Sequence, residues 1–255
     1  MRGKPQLIAE KITGIVKDWP CVDSVLAGPL ISGDFFDAYY FLSLDVYISG
    51  ELPDVGERKK CFGFGMAFES SQTKGKDRLF VDEIPVRIEY KTVSRISDLV
   101  DGKEGFLATM RDSGTFVFYR ITASDILYTR SGWIEKMRGK LGSMPQSFWD
   151  ILRSSFQSRM EHFLSDLGAA AMRSDELFFH ISAANFLQSV CSVLFAINRR
   201  YEPSFRLLSE QVNALPVLPE AFAARFESFV RSGSEFPPAR KYEIAQLLAR
   251  SIIGL

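Results

Sequence analysis

The sequence predicts an α+β fold: an N-terminal mixed sheet with flanking helices over residues 1–125, then an all-helical bundle over residues 126–255. Two observations predict this order. In the first part, short alternating runs such as residues 41–48 and 84–90 read as strands, because every second residue of a strand lies on one face. After Ser124 the apolar residues recur at helical spacing, as in Phe148, Ile151, Leu152 and Phe156. A length of 255 residues accommodates one large domain or two modest ones.

The elements follow in order. Leu7, Ile8, Ile12, Ile15 and Val16 form one stripe and predict a helix over residues 6–18. Trp19-Pro20 ends it, since the residue before a proline avoids helical geometry. Residues 22–27 form a first strand, Gly28-Pro29 a turn, and residues 41–48 a second strand. The segment between them carries Gly33, Asp34 and Asp37 and is compatible with a short helix at its start. Residues 49–58 are polar, with Gly50, Pro53 and Gly56, and read as a loop. Residues 60–69 read as a strand from the alternation of Phe62, Phe64, Met66 and Phe68. Their two glycines fit a bulge or close packing, because no Gly-Lys-Ser/Thr follows to make a phosphate loop. Residues 79–81 and 84–90 read as a hairpin around Asp82-Glu83, and residues 93–99 as the start of a helix. The apolar run 115–121 fits a strand or a helix entry equally.

Pro145 fits the first turn of a helix that continues through Met160, Phe163, Leu164 and Leu167. A second long helix covers residues 177–199 and ends at Tyr201 and Pro203. Residues 220–230 and 240–253 are the last two helices.

Composition narrows the function classes. The chain is 46% hydrophobic and 24% charged, with 31 basic and 31 acidic residues. That balance lacks the basic excess of a dedicated nucleic-acid binder. Cys21, Cys61 and Cys191 are far apart, as free thiols in a reducing compartment would be. Arg2 and Lys4 precede no apolar core, so no signal peptide is expected. Apolar stretches such as residues 189–197 are too short to span a membrane, and a cytoplasmic protein with no membrane partner is the expectation. Two histidines, His162 and His180, leave no His-rich metal site. The 22 phenylalanines read as core, since Phe178, Phe179, Phe186 and Phe195 sit at helical spacing within apolar runs.

The stretch that organises the chain is residues 25–48, V-L-A-G-P-L-I-S-G-D-F-F-D-A-Y-Y-F-L-S-L-D-V-Y-I. A glycine turn followed by an acid on a strand resembles the signature of the nucleotidyltransferase superfamily. That signature has a Gly-Ser turn, two aspartates two residues apart on a strand, and a third acid on a later strand. Here Gly28-Pro29 replaces Gly-Ser. Two further stretches carry the resemblance, to two-domain nucleotidyltransferases of the kanamycin and lincosamide type and to uncharacterised bacterial relatives. Residues 126–132, I-L-Y-T-R-S-G, are similar to the join those relatives place before their helical domain, with Thr129 where an Asp is usual. Residues 195–208, F-A-I-N-R-R-Y-E-P-S-F-R-L-L, are similar to a helical-domain segment of one uncharacterised family, with Arg206 at a Lys position and Leu207 at a Trp. Asn198, Tyr201 and Pro203 also fit a helix cap and the turn after it.

The resemblance implies a chemistry. Nucleotidyl transfer uses divalent cations that neutralise a triphosphate and orient the attacking oxygen. It implies Asp45 and Glu89 as the catalytic and metal-binding acids, and Gly28, Ser43 and Arg87 as nucleotide-binding residues. Asn198, Tyr201 and Arg206 would line the acceptor side. Either Ser43 stands in the first acid position and Asp45 in the second, or Asp45 in the first and Tyr47 in the second. Both registers lack one carboxylate, so Mg²⁺ would bind weakly or only together with nucleotide. Asp34 or Asp37 are candidates to supply the missing ligand, and Asp45 equally fits a buried acid paired with a base such as Arg87.

The implied partners are a nucleoside triphosphate and a small hydroxylated acceptor, with a homo-oligomer left open. The rival is a pseudoenzyme that keeps a ligand site as a binding or regulatory module without the chemistry. A third class rests on Arg173 and His180, whose spacing also occurs in helical RNase-like domains of toxin–antitoxin pairs; a helix-surface Arg and a partly buried His account for it as well.

Overall fold

The computed structural model describes residues 3–29, 40–71, 75–103 and 105–255. The chain forms two compact units that interleave in sequence. The first comprises Met1–Phe106 and Phe118–Ser143, the second Leu107–Val117 and Met144–Leu255.

The first unit is built on a six-stranded mixed sheet. In chain order its strands are β1 (Val22–Ala27), β2 (Leu42–Ile48), β3 (Met66–Ser71), β4 (Lys76–Val81), β5 (Ile84–Thr92) and β6 (Asp125–Thr129). They lie side by side in the order β3-β4-β5-β2-β1-β6. The β2–β5 pair is parallel and the other pairs are antiparallel. The β4–β5 hairpin turns at Asp82 and Glu83, both left-handed at φ 47° and 69°, as a tight turn with right-handed strand twist requires.

One face of the sheet holds the core. Ile8, Ile12 and Val16 of α1 (Lys4–Val16) share one buried cluster with Val25, Leu44, Val46, Val86 and Ile88. These belong to the stripe expected at residues 6–18, from which Leu7 departs by being exposed, and the helix lies two residues nearer the N-terminus. Arg130, from the join after β6, donates to the carbonyls of Lys17, Trp19 and Pro20 and so closes the end of that helix.

Three local expectations differ from the structure. Part of the polar stretch 49–58, expected to be a loop, belongs to α2 (Val55–Cys61), capped by the Asp54 side chain accepting from Glu57 N–H at 2.9 Å. The helix has no apolar stripe to announce it; the residue it buries is Arg58, paired with buried Asp77 at 2.9 Å. The strand expected at residues 60–69 therefore begins only at Met66, while Phe62 caps α2 and is fully buried. Its Gly65 is a point of close packing, as expected: an added Cβ would lie 2.6 Å from Leu79 Cδ1. The ambiguous run 115–121 is helical, α5 (Phe116–Ala123). A division at residue 125 would cut β6 and α6 (Trp133–Gly142) from the sheet unit to which they belong.

The remaining helices are α3 (Val93–Val100), α4 (Phe106–Ser113), α7 (Gln146–Arg173), α8 (Glu176–Ile197), α9 (Phe205–Asn213), α10 (Phe222–Val230) and α11 (Pro238–Ile253). The second unit is a bundle in which α7 and α8 pack along their length and α11 packs on both. Helix α8 matches the helix expected over residues 177–199, and its apolar window is longer than the stretch 189–197 on which a membrane span was discounted. By length and composition it could cross a membrane, with a mean hydropathy of 1.5, but half of that window is buried in the unit. Phe186, Val190, Val193 and Leu194 are fully buried in it.

Candidate functional site

The parallel register of β2 and β5 places Asp45 beside Glu89, Ser43 beside Arg87 and Tyr47 beside Lys91. With a side-chain period of two, all six share the sheet face opposite the α1 core. The antiparallel register of β4 adds Lys76 beside Glu89 and Arg78 beside Arg87. Residues 22–27, 41–48 and 84–90 thus lie in one sheet with Asp45 and Glu89 on a common face, as the sequence led us to expect.

Asp45 is 1% exposed. A buried carboxylate is costly unless paired, and both of its oxygens are engaged. Arg120 Nε of α5 donates to Oδ2 at 2.8 Å, and Lys91 Nζ of β5 lies 2.9 Å from Oδ1. Burial alone would raise the Asp45 pKa; Lys91 and Arg120 outweigh it and hold the carboxyl below its ordinary value. Burial likewise opposes the charge on Arg120, and Asp45 reverses the effect, keeping the guanidinium protonated. The base expected beside Asp45 was Arg87; that guanidinium lies instead over the Phe41 ring, 4.1 Å from its centroid. Glu89 receives Lys76 Nζ at 2.7 Å on Oε1, and Lys91 Nζ lies 3.9 Å from Oε2.

The last turn of α5, which carries Arg120, is tied to α6. Arg138 of α6 donates to the carbonyls of Ile121 and Ser124, where α5 ends. Tyr47, beneath it, packs against Trp133 with ring centroids 5.2 Å apart. Burial, then the nearby Asp45 charge, push the Tyr47 hydroxyl pKa well up.

Gly28 is explained by the same cluster. Its N–H donates to Ser43 O at 2.8 Å, extending the β1–β2 pairing. That donor is therefore used within the sheet. An added Cβ would overlap Arg120 Nη1 and approach Cζ at 3.0 Å. Gly28→Ala should displace the guanidinium from Asp45 and destabilise the protein by about 1–3 kcal/mol, the usual range for overpacking. Urea denaturation checks this; an unchanged midpoint would mean that the cluster is not rigid.

The structure thus brings together Gly28, Ser43, Asp45, Arg87 and Glu89. Sequence reasoning missed Arg120 and Lys91, which decide the chemistry of Asp45. Asp34 and Asp37 lie outside the described residues. Mg²⁺ prefers several carboxylate and water oxygens in a near-octahedral set. Asp45 and Glu89 already carry Arg120, Lys91 and Lys76, and among the described residues no group of three or more His, Cys, Asp and Glu could hold a metal. Among the described residues, the donor set does not fit the two-metal site.

Asn198, Tyr201 and Arg206 belong to the second unit. Asn198 closes α8: its Nδ2 donates to Leu194 O and Val217 O, and its Oδ1 accepts from Val217 N–H, each at 2.8 Å. Tyr201 packs on Trp149, 5.1 Å between centroids, and Arg206 is exposed on α9. Between them stands Glu202, which the sequence did not single out. It is buried, and accepts from Thr115 N–H at 2.7 Å, Thr115 Oγ1 at 3.0 Å and Ser192 Oγ at 2.5 Å. The adjoining Gly114 has φ 63°, and a Cβ there would lie 2.7 Å from Glu202 Oε2. Arg173 and His180 are exposed, at the end of α7 and on α8.

The fold is nucleotidyltransferase-like. It matches the crystal structure of a nucleotidyltransferase-like protein from Exiguobacterium sibiricum at TM-score 0.50, over 99% of this chain and 75% of that one. The two are 10% identical, so the likeness concerns the fold. Residues 115–206 match a family described as a domain of unknown function, DUF4037. That span contains both later stretches on which the resemblance rested up to Arg206, and also Arg120 and Glu202. No curated protein matches the sequence.

Proposed function

We propose that the sheet unit is a ligand-binding derivative of the nucleotidyltransferase fold, taking a nucleoside triphosphate or similar phosphate-bearing ligand without metal-assisted transfer. The observation that carries this is Asp45: buried, with each oxygen committed to a protein cation. The ligand class follows from the charge of the face. Lys76, Arg78, Arg87, Lys91 and Arg120 stand there against Asp45, Glu89 and, across the β3–β4 register, Glu69. An excess of cations on one concentrated face favours an anionic ligand. Since the Gly28 N–H is used by Ser43, phosphate recognition rests on these bases.

The common face of Asp45 and Glu89 favours a second reading, an active nucleotidyltransferase of the two-domain kanamycin or lincosamide type acting on a small hydroxylated acceptor. Calorimetric titration of ATP in Mg²⁺ and in EDTA, with an assay of pyrophosphate release, separates the two. We expect ATP to bind in EDTA, with no gain from Mg²⁺ and no pyrophosphate release. Binding that requires Mg²⁺, with pyrophosphate release lost in Asp45→Asn, would establish the transferase instead.

A further inference from the structure

We infer that Lys91 is the built-in cation of this site, an ammonium tethered to β5 at the position where a divalent ion bridging Asp45 and Glu89 would sit. The inference rests on the reading of the Asp45 face just given and says how that face excludes metal. Four carboxylate oxygens are available from the two acids. Arg120 takes Asp45 Oδ2 and Lys76 takes Glu89 Oε1. The two that remain, Asp45 Oδ1 and Glu89 Oε2, both face the same Nζ, at 2.9 Å and 3.9 Å. A divalent ion held by both acids would have to displace that ammonium or bear its repulsion.

The register explains why Lys91 can do this. It lies one strand over from Tyr47 and two residues beyond Glu89, so its side chain leans back along the shared face toward Asp45. Its Nζ is also 6.0 Å from the Tyr47 ring centroid, which adds an aromatic face to its surroundings. The lysine side chain is 19% exposed, so the position is reachable from solvent. Among the described residues three buried polar atoms of this cluster, Asp45 Oδ1, Arg120 Nη2 and Tyr47 Oη, make no hydrogen bond, so Lys91 meets Asp45 as an ion pair. The cluster is thus closed toward cations and keeps unused donors.

Removing the ammonium should therefore create a metal site rather than only lose an ion pair. Asp45 Oδ1 and Glu89 Oε2 would be released, with the Ser43 hydroxyl on the same face. The probe is Mn²⁺, titrated against the full chain by electron paramagnetic resonance. We expect the wild type and Lys91→Arg to bind no Mn²⁺ at the concentrations that saturate Lys91→Met. Lys91→Met should bind one ion, at least about tenfold more tightly than the wild type, as loss of an adjacent unit charge implies. The gain should vanish in Lys91→Met with Asp45→Asn.

The inference is overturned if the wild type binds Mn²⁺ at a site that Glu89→Gln abolishes, or if Lys91→Met folds, by circular dichroism, and gains no ion. Should Lys91→Met not fold, Lys91→Gln is read in the same way, and the wild-type titration remains decisive. ATP binding in EDTA, measured in parallel, reports on the proposed ligand alone. Its absence with the Mn²⁺ gain intact would sink the ligand and leave the tethered cation standing.

Discussion

Asp45→Ala should destabilise the sheet unit by about 3–5 kcal/mol, because it leaves the buried Arg120 guanidinium without its counter-charge. Arg120 donates to Asp45 at 2.8 Å and is itself among the buried charged residues. Arg120→Met should cost less, since Lys91 still neutralises Asp45. The double variant Asp45→Leu with Arg120→Met should recover most of the loss, as buried ion pairs replaced by apolar residues commonly do. Urea denaturation followed by fluorescence of Trp133, which packs on Tyr47, is the measurement. Strict additivity of Asp45→Leu and Arg120→Met in that double variant would show that the pair is not coupled. The pH dependence has a definite sign. The folded-state pKa of Asp45 lies below the ordinary 3.8, so its contribution is fully present above that value. It is lost as pH falls below 3.8 and through the folded value. The wild type should therefore lose stability on acidification below pH 3.8 more steeply than Asp45→Asn.

In the helical unit the largest effect is expected at Glu202. Glu202→Ala removes the acceptor for Thr115 N–H, Thr115 Oγ1 and Ser192 Oγ, all in a buried site. Stranding these donors should cost about 3 kcal/mol. Glu202→Gln should cost only about 1 kcal/mol. The amide can still accept from Thr115 through its oxygen, and Ser192 can turn its hydroxyl to Gln188 O, 3.0 Å away. Thermal melting separates the two variants, and amide exchange at Thr115 locates the loss. If Glu202→Ala melts no earlier than Glu210→Ala, a change at an exposed position of α9, the carboxylate does not anchor the Leu107–Val117 segment.

The sheet face was legible in the sequence because period-two patterning is local. Asp45 sits in L-S-L-D-V-Y-I and Glu89 in V-R-I-E-Y, and each run fixes which way its acid points. Their adjacency required only that the two strands pair. The partners of Asp45 were not legible, for two different reasons. Lys91 stands one residue past the end expected for its strand, and β5 continues to Thr92. Arg120 lies in an apolar run whose pattern does not separate strand from helix, and only tertiary packing brings α5 onto Asp45. Glu202 was hidden differently. It falls between Tyr201 and Pro203, which drew attention as a helix stop, and its partner Thr115 is far away in sequence. Polar anchors across such distances leave no periodic trace, whereas α7 and α8 were readable from their stripes alone.

The pairing of β6 with β1 bears on how the chain is made. β1 ends at Ala27, and the strand that covers its outer edge, Asp125–Thr129, is synthesised only about a hundred residues later. At the usual pace of translation that interval lasts roughly 5–20 s. During it the fully buried strand Val22–Ala27 has one row of backbone donors and acceptors without its final neighbour. Two nascent chains on one messenger would meet edge to edge in that window, so crowded polysomes should favour aggregation of this protein, and slowing initiation should relieve it.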